Sequence, residues 1–407
     1  MAANMRGATT APQRAASPPL CFPPNNFETV PDSEVLEEEW FDKFKKRQYY
    51  PANIGEVLHS RYQIVGKLGF GGTSTVWLAR DLQGHRYVAL KIYTRGEGSR
   101  NDFEVYKQLD QGPSHPAHDF VRRALDIFMI PRPGGDHSCI VLVPMWESFR
   151  DFLDRNPVRR FPLCILKMGL QQILAALDFL HTECKLVHTD INSSNVLHEL
   201  KEESLFKRFT QAEMQNPSRR KIVNDMPVYA SRRFDRQRLH GHAVLGDVDS
   251  AVSGERTWTH DVQPSIYRSP EVMLGTGWSY PIDIWNVGVM AWDLLEGRRL
   301  FYGSEPDGRG YSTRAHLAEV VALLGPPPLD MVQRGNRSLE FFTKDGKWKQ
   351  DINIPQHVTL EMSEQFLEGQ DKKGFLAFMR KMLQWRPEDR ATAGEMFLDP
   401  WLNGGLE

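Results

Sequence analysis

At 407 residues the chain exceeds a usual single domain, and its 41% apolar and 25% charged residues are those of an ordinary globular protein. A net charge of −2 argues against a surface built for nucleic acid or anionic membrane, and no apolar run approaches the ~20 residues of a membrane span. Four scattered cysteines, Cys21, Cys139, Cys164 and Cys184, form no CxxC pair, which argues against a zinc site or disulfide framework and fits a reducing compartment.

Residues 1–53 read as a disordered or extended tail. The first 26 are rich in Ala, Pro, Ser and Thr, with Arg6 and Arg14 before the first acid, Glu28; a flexible terminus is a simpler reading than a transit peptide. From Arg61, alternating apolar and polar residues predict a β-hairpin whose turn carries Gly69, Gly71 and Gly72. Without Cβ atoms, such a turn lets backbone approach a phosphate, although a bare tight turn has the same composition. A third strand, YVALKIY at 87–93, holds Lys91 among apolar neighbours, where an ammonium calls for an anion or an exit to water. The helical pattern DFEVYKQL follows, and Glu104 on it could turn toward Lys91. Strands at 127–130 and 139–144, separated by RPGGDH, complete a small antiparallel sheet, and 143–145 forms a natural hinge.

Beyond the hinge the composition changes. A long buried helix at 161–182 leads into LVHTDINSSNVL at 186–197, a polar loop pinned between two apolar runs. Asp190 can orient or deprotonate a hydroxyl, and the side-chain oxygen of Asn195 can hold a metal. The polar, arginine-rich insertion at 198–243 reads as a solvated excursion, with a docking surface as the alternative. VLGDVDSAVSG then gives a short strand ending in Asp247, a second metal-ligand candidate. IYRSPEV, a buried helix headed by Asp283 and a terminal stretch with Arg390 follow, and Glu271 and Arg390 are predicted to share a buried ion pair.

In this order the motifs resemble those of eukaryotic protein kinases over about 61–402. The lead-in Ile54-Gly55, GFGGTSTVWL with Ser74 at the usual third glycine, HTD, YRSPEV and the insertion before Asp247 resemble more closely the serine/arginine-protein kinases, as a divergent fungal-type member. The resemblance implies an α+β bilobal fold: a small antiparallel-sheet lobe with one main helix at 54–143, and a larger helical lobe at 144–405 with inserts at 198–243 and 299–360. It implies ATP and Mg²⁺ as cofactors. Lys91 would bind phosphates, oriented by Glu104. Leu68, Gly69, Gly71, Gly72, Ser74 and Val76 would cover the nucleotide. Ala89 would help bind the nucleotide, Leu142 would sit behind the adenine, and the backbone of Val143 and Met145 would bond its edge. Asp190 would be the catalytic base, with Asn195 and Asp247 holding Mg²⁺.

Three positions depart from that family. The lysine two residues after the catalytic aspartate is Asn192, its usual threonine partner is Pro264, and the glycine of the metal-binding triplet is Asp249. A third carboxylate there would tune the metal site or face solvent, on a backbone that aspartate tolerates in the left-handed region. In the stretch 311–325, where the family places acids that dock arginine-rich substrates, Arg314, Ala315 and Ala322 stand and only Glu319 is acidic. The implied function is a monomeric protein serine/threonine kinase acting on a protein hydroxyl, with arginine/serine-rich substrates as the family case. No nucleic-acid or membrane partner is expected, and the implied location is the cytoplasm with nuclear entry. The alternative is a pseudokinase scaffold with little phosphoryl transfer; a small-molecule kinase is disfavoured by YRSPEV and the segment before it.

Overall fold

The stretch 57–93 is rich in β-branched and aromatic residues, and it folds into four antiparallel strands: β1 (Val57–Leu58), β2 (Tyr62–Phe70), β3 (Ser74–Asp81) and β4 (Arg86–Tyr93). With β5 (Ala124–Ile130) and β6 (His137–Leu142) they form one sheet in the order β1-β2-β3-β4-β6-β5. The computed structural model describes residues 15–97, 100–111, 115–237, 241–356 and 358–404, with backbone only at 100–103 and 110–111. One face of the sheet buries Trp77, Ala79, Val88, Leu90, Ile92, Cys139 and Val141 in a common core. Strand alternation therefore gives Val76, Leu78, Ala89, Lys91 and Leu142 to the other face.

The chain divides into two units. The sheet unit comprises Met1–Ser99, Ala124–Pro144 and Glu202–Arg236, and the second comprises Arg100–Arg123, Met145–Lys201 and Gln237–Glu407. One division falls within the hinge stretch, between Pro144 and Met145. Two assignments differ from the sequence reading. The helix Arg100–Gln111 goes with the second unit, and most of the insertion goes with the sheet.

That insertion is not a solvated excursion. Its helix Ser204–Gln215 lays Phe206 on Tyr87 (ring centroids 5.0 Å apart) and Phe209 against β2. A Cβ at Gly66 would come within 2.8 Å of the Phe209 ring, so only glycine admits that ring. The hairpin of Arg220–Val223 and Met226–Tyr229 sets Tyr229 edge-on to Trp77 at 5.6 Å. Arginine runs hid this apolar minority. The expected tail is likewise corrected over 27–50: Val30, Leu36, Phe44 and Tyr49 are buried with Met226 and Val228. Residues 1–14 lie outside the described residues.

In the second unit the helices Leu163–Thr182 and Pro281–Glu296 pack together. Leu163–Thr182 is long and apolar enough by composition to cross a membrane, a segment the run-length reading passed over, and 56% of its most apolar window is buried in the unit. Pro281–Glu296 is apolar on every side and almost wholly buried, as a helix at the centre of a large unit must be. Beside them, Met145–Ser148, Val196–Glu199 and Ala243–Leu245 make a three-stranded antiparallel sheet, and Leu186–Val187 pairs with Val252–Ser253. These two small pairings hold the loop 188–195 at both ends.

Candidate active site

In the sheet unit, register brings the predicted nucleotide residues into one row. Gly69 lies opposite Val76, Val76 opposite Lys91, and Lys91 opposite Ile140, while Ala89 faces Leu142. Val76 and Lys91 are half-buried, Ala89 and Leu142 fully buried, and the Lys91 ammonium stands 5.1 Å from the Tyr93 ring centroid. Gly71 N–H donates to the carbonyl of Ser74 (2.8 Å), closing the turn; a Cβ at Gly69 or Gly71 would meet nothing within 4 Å. Val143 is exposed beyond β6 and Met145 opens the next strand.

In the second unit the loop 188–195 is built around buried Asp283. Its carboxylate accepts the N–H groups of His188 (2.7 Å) and Thr189 (2.9 Å) and the Nε2–H of His181 (3.0 Å). That grip keeps Thr189 at φ +73°, a backbone a β-branched residue adopts only under constraint. The Nε2–H of His188 donates to Gly246 O at 2.9 Å, tying the loop to the strand before Asp247. Asp190 follows directly. The Asn195 amide donates to its Oδ2 (2.7 Å) and its carbonyl (2.9 Å), and the Asn192 amide donates to its Oδ1 (3.0 Å) and the same carbonyl (3.1 Å). Burial pushes the Asp190 pKa above the usual carboxylate value; His188 and the two amides oppose this, while the Asp247 charge adds to it. Because the Nδ2 of Asn195 is directed at Asp190, its Oδ1 points the other way, as an oxygen ligand must.

Asp247 is exposed and stands in the left-handed region (φ +59°), at the start of the short turn Val248–Ser250. The left-handed residue of the triplet is thus Asp247, not Asp249. The Asp249 carboxylate accepts the hydroxyl of Tyr106 at 2.7 Å, so it is partnered within the unit rather than left to solvent. Burial raises the Tyr106 phenol well above its ordinary pKa, and the Asp249 charge raises it further. The bond has a cost for Glu104. Two residues apart on a helix means about 200° around its axis. With Tyr106 inward, Glu104 is exposed, and its carboxylate accepts Lys107 Nζ at 2.7 Å. Sequence reading missed Tyr106 and also Arg122, whose guanidinium lies within electrostatic reach of Asp247 and Asp249. The only signal for Tyr106 was its place on the Glu104 helix, and for Arg122 a charged pair amid apolar residues.

The segment 247–271 is held by direct bonds. Trp258 and Trp278 exchange backbone hydrogen bonds (3.0 and 2.9 Å), their rings stack, and Gln263 Nε2 donates to Asn286 Oδ1 at 2.9 Å. Thr257 and Thr259 are exposed on it. At its end Glu271 and Arg390, both fully buried side chains, form the predicted pair with bonds of 2.6 and 2.7 Å.

The protein kinase domain model matches residues 62–224 and 238–402. A serine/threonine protein kinase of Aspergillus fumigatus is 40% identical over 396 residues, 96% of either chain. Serine/threonine-protein kinase SRPK of Physarum polycephalum is 33% identical over 397 residues, covering 90% of this chain and 91% of that protein. Human SRSF protein kinase 3 is 26% identical across 91% of each.

Proposed function

Because this chain belongs to the protein kinase family, as a serine/threonine kinase of the serine/arginine-protein kinase group, we propose that it moves the γ-phosphoryl group of ATP to a protein hydroxyl aligned by Asp190. The observation that carries this reading is the Asp190 carboxylate, its two oxygens fixed by the Asn192 and Asn195 amides. A carboxylate so held can receive a hydroxyl proton without reorienting, which is how positioning lowers the barrier in phosphoryl transfer. Asn195 Oδ1 and the Asp247 carboxylate are hard oxygen donors that suit Mg²⁺, which when bound would neutralise phosphate charge. Lys91 and the glycine turn are assigned to the phosphates, with Leu68, Ser74, Val76, Ala89, Leu142 and the backbone of Val143 and Met145 around the nucleotide. Glu104 is assigned to orienting Lys91.

The substrate is proposed as a protein, with arginine/serine-rich chains as the first to try, since relatives are named SRPK and SRSF protein kinase. The local chemistry argues for a changed preference. Glu319, the remaining acid of 311–325, already accepts the N–H groups of Tyr302 (2.8 Å) and Gly303 (3.0 Å). Arg314 pairs with Glu305 at 2.8 Å. Cytoplasmic location with nuclear entry stays part of the proposal, to be tested with a fluorescent fusion. The deciding experiment measures phosphate transfer from ATP to an arginine/serine peptide and to a generic basic protein, in wild type and Asp190→Ala. Transfer by the wild type that the variant lacks supports the proposal; equal, negligible rates for both proteins on every substrate overturn it.

A further inference from the structure

The matched kinase domain begins at 62 and is interrupted at 225–237. Residues on both sides of those limits fasten onto the strand that carries the glycine turn. Lys67, two residues before Gly69, is fully buried. Its ammonium bonds the Glu38 carboxylate, sits 2.7 Å from Glu37 Oε2 and donates to Tyr229 O at 2.9 Å. Its own carbonyl accepts Arg232 N–H at 2.8 Å. A lysine ammonium so far from water persists only with such anions and acceptors.

Two side chains reach the turn itself. The Tyr49 hydroxyl donates to Gly71 O at 2.6 Å. Phe41 meets Phe70 edge-on, with centroids 6.3 Å apart, and lies 3.7 Å from where a Cβ on Gly72 would stand. Their segment is fixed in turn by the hairpin 220–229. Val30 N–H donates to Arg220 O (3.1 Å), Arg220 N–H donates to Glu28 O (3.2 Å), and Glu37 accepts the hydroxyl of Ser231 at 2.8 Å.

We propose that residues 28–50 and the hairpin 220–229 form one clasp that positions the glycine turn for nucleotide, with Tyr49 as the positioning residue at its tip. A turn with three glycines has more backbone freedom than one built from residues with side chains, and ordering it on ATP costs affinity. Anchoring the Gly71 carbonyl removes part of that freedom beforehand. The inference rests on the reading of this turn as the nucleotide cover.

The test uses the full chain and compares wild type, Tyr49→Phe, Phe41→Ala and Lys91→Ala. ATP affinity is measured by titration, the KM for ATP and kcat by turnover, and Tm by thermal unfolding. Tyr49→Phe deletes one hydroxyl, so ATP Kd and KM should rise about three- to tenfold with kcat at saturating ATP little changed. A purely structural role would lower Tm and leave Kd where it was. Unchanged Kd in both Tyr49→Phe and Phe41→Ala, with binding lost in Lys91→Ala, overturns the clasp alone. Unchanged Kd in Lys91→Ala as well overturns the nucleotide reading beneath it.

Discussion

Removing the guanidinium of Arg390 should damage the second unit more than any exposed change, and the structure says by how much. Arg390 gives Glu271 two bonds in a site that excludes water from both side chains, and it supplies Pro281 O (3.0 Å) and Gln384 O (3.0 and 3.1 Å). Arg390→Ala leaves a buried carboxylate without its cation and two carbonyls without these donors. Stranding one member of a buried pair costs about 3–5 kcal/mol, a large share of the roughly 5–15 kcal/mol by which domains are stable. Glu271→Gln keeps one acceptor but leaves the Arg390 cation without its anion and turns an amide N–H toward a guanidinium N–H, so a loss in the same range of about 3–5 kcal/mol is expected. The double variant Glu271→Leu/Arg390→Met strands no charge and should recover part of the Arg390→Ala loss, although the carbonyls still lack donors. Denaturant unfolding followed by tryptophan fluorescence is the assay, since the Trp285 ring lies 5.1 Å from the Arg390 guanidinium. With two units, only the transition reported by the second is scored. Arg390→Ala within about 1 kcal/mol of wild type, or a double variant no better than the single, refutes the reasoning.

Burial pushes the Asp293 carboxyl to about 7, against bonds from Leu300 N–H (2.9 Å) and the Tyr267 hydroxyl (2.8 Å). Between its ordinary value near 4 and about 7 the native state keeps a proton that the unfolded chain has released, so stability falls as pH rises, by up to about 1.4 kcal/mol per unit. Asp293→Asn should flatten that slope in unfolding series across the window; equal slopes in the two proteins would speak against a buried acid. Tyr106→Phe deletes the bond to Asp249, and amide hydrogen exchange over Arg100–Gln111 should quicken roughly tenfold. No change would mean that packing, not the bond, sets the helix. Because direct bonds order 247–271, phosphatase treatment should leave kcat intact, and its loss would show a phosphate doing the ordering.

The sequence displayed what a local pattern can display. The Gly69–Gly72 turn, the VALK strand, the loop from His188 to Asn195 and the Glu271–Arg390 pair all rest on residues whose neighbours restrict them strongly. What it hid were partnerships across long separations between residue types that usually face solvent. Glu37 and Glu38 resemble any acidic run until Lys67 meets them from β2. Tyr106 resembles a core aromatic until Asp249 accepts its hydroxyl, which in turn faces Glu104 outward. Phe206 and Phe209 were drowned by the arginines around them. Composition averages over such minorities, whereas packing depends on them.

The acid pair ahead of residue 62 also bears on how the protein can be cut for expression. A fragment started at the first matched residue would retain Lys67 in its apolar recess after discarding Glu37 and Glu38. The stranded cation would have to drag its strand toward water, which would spoil the recess. For this chain the practical left border therefore lies before residue 28, not at 62.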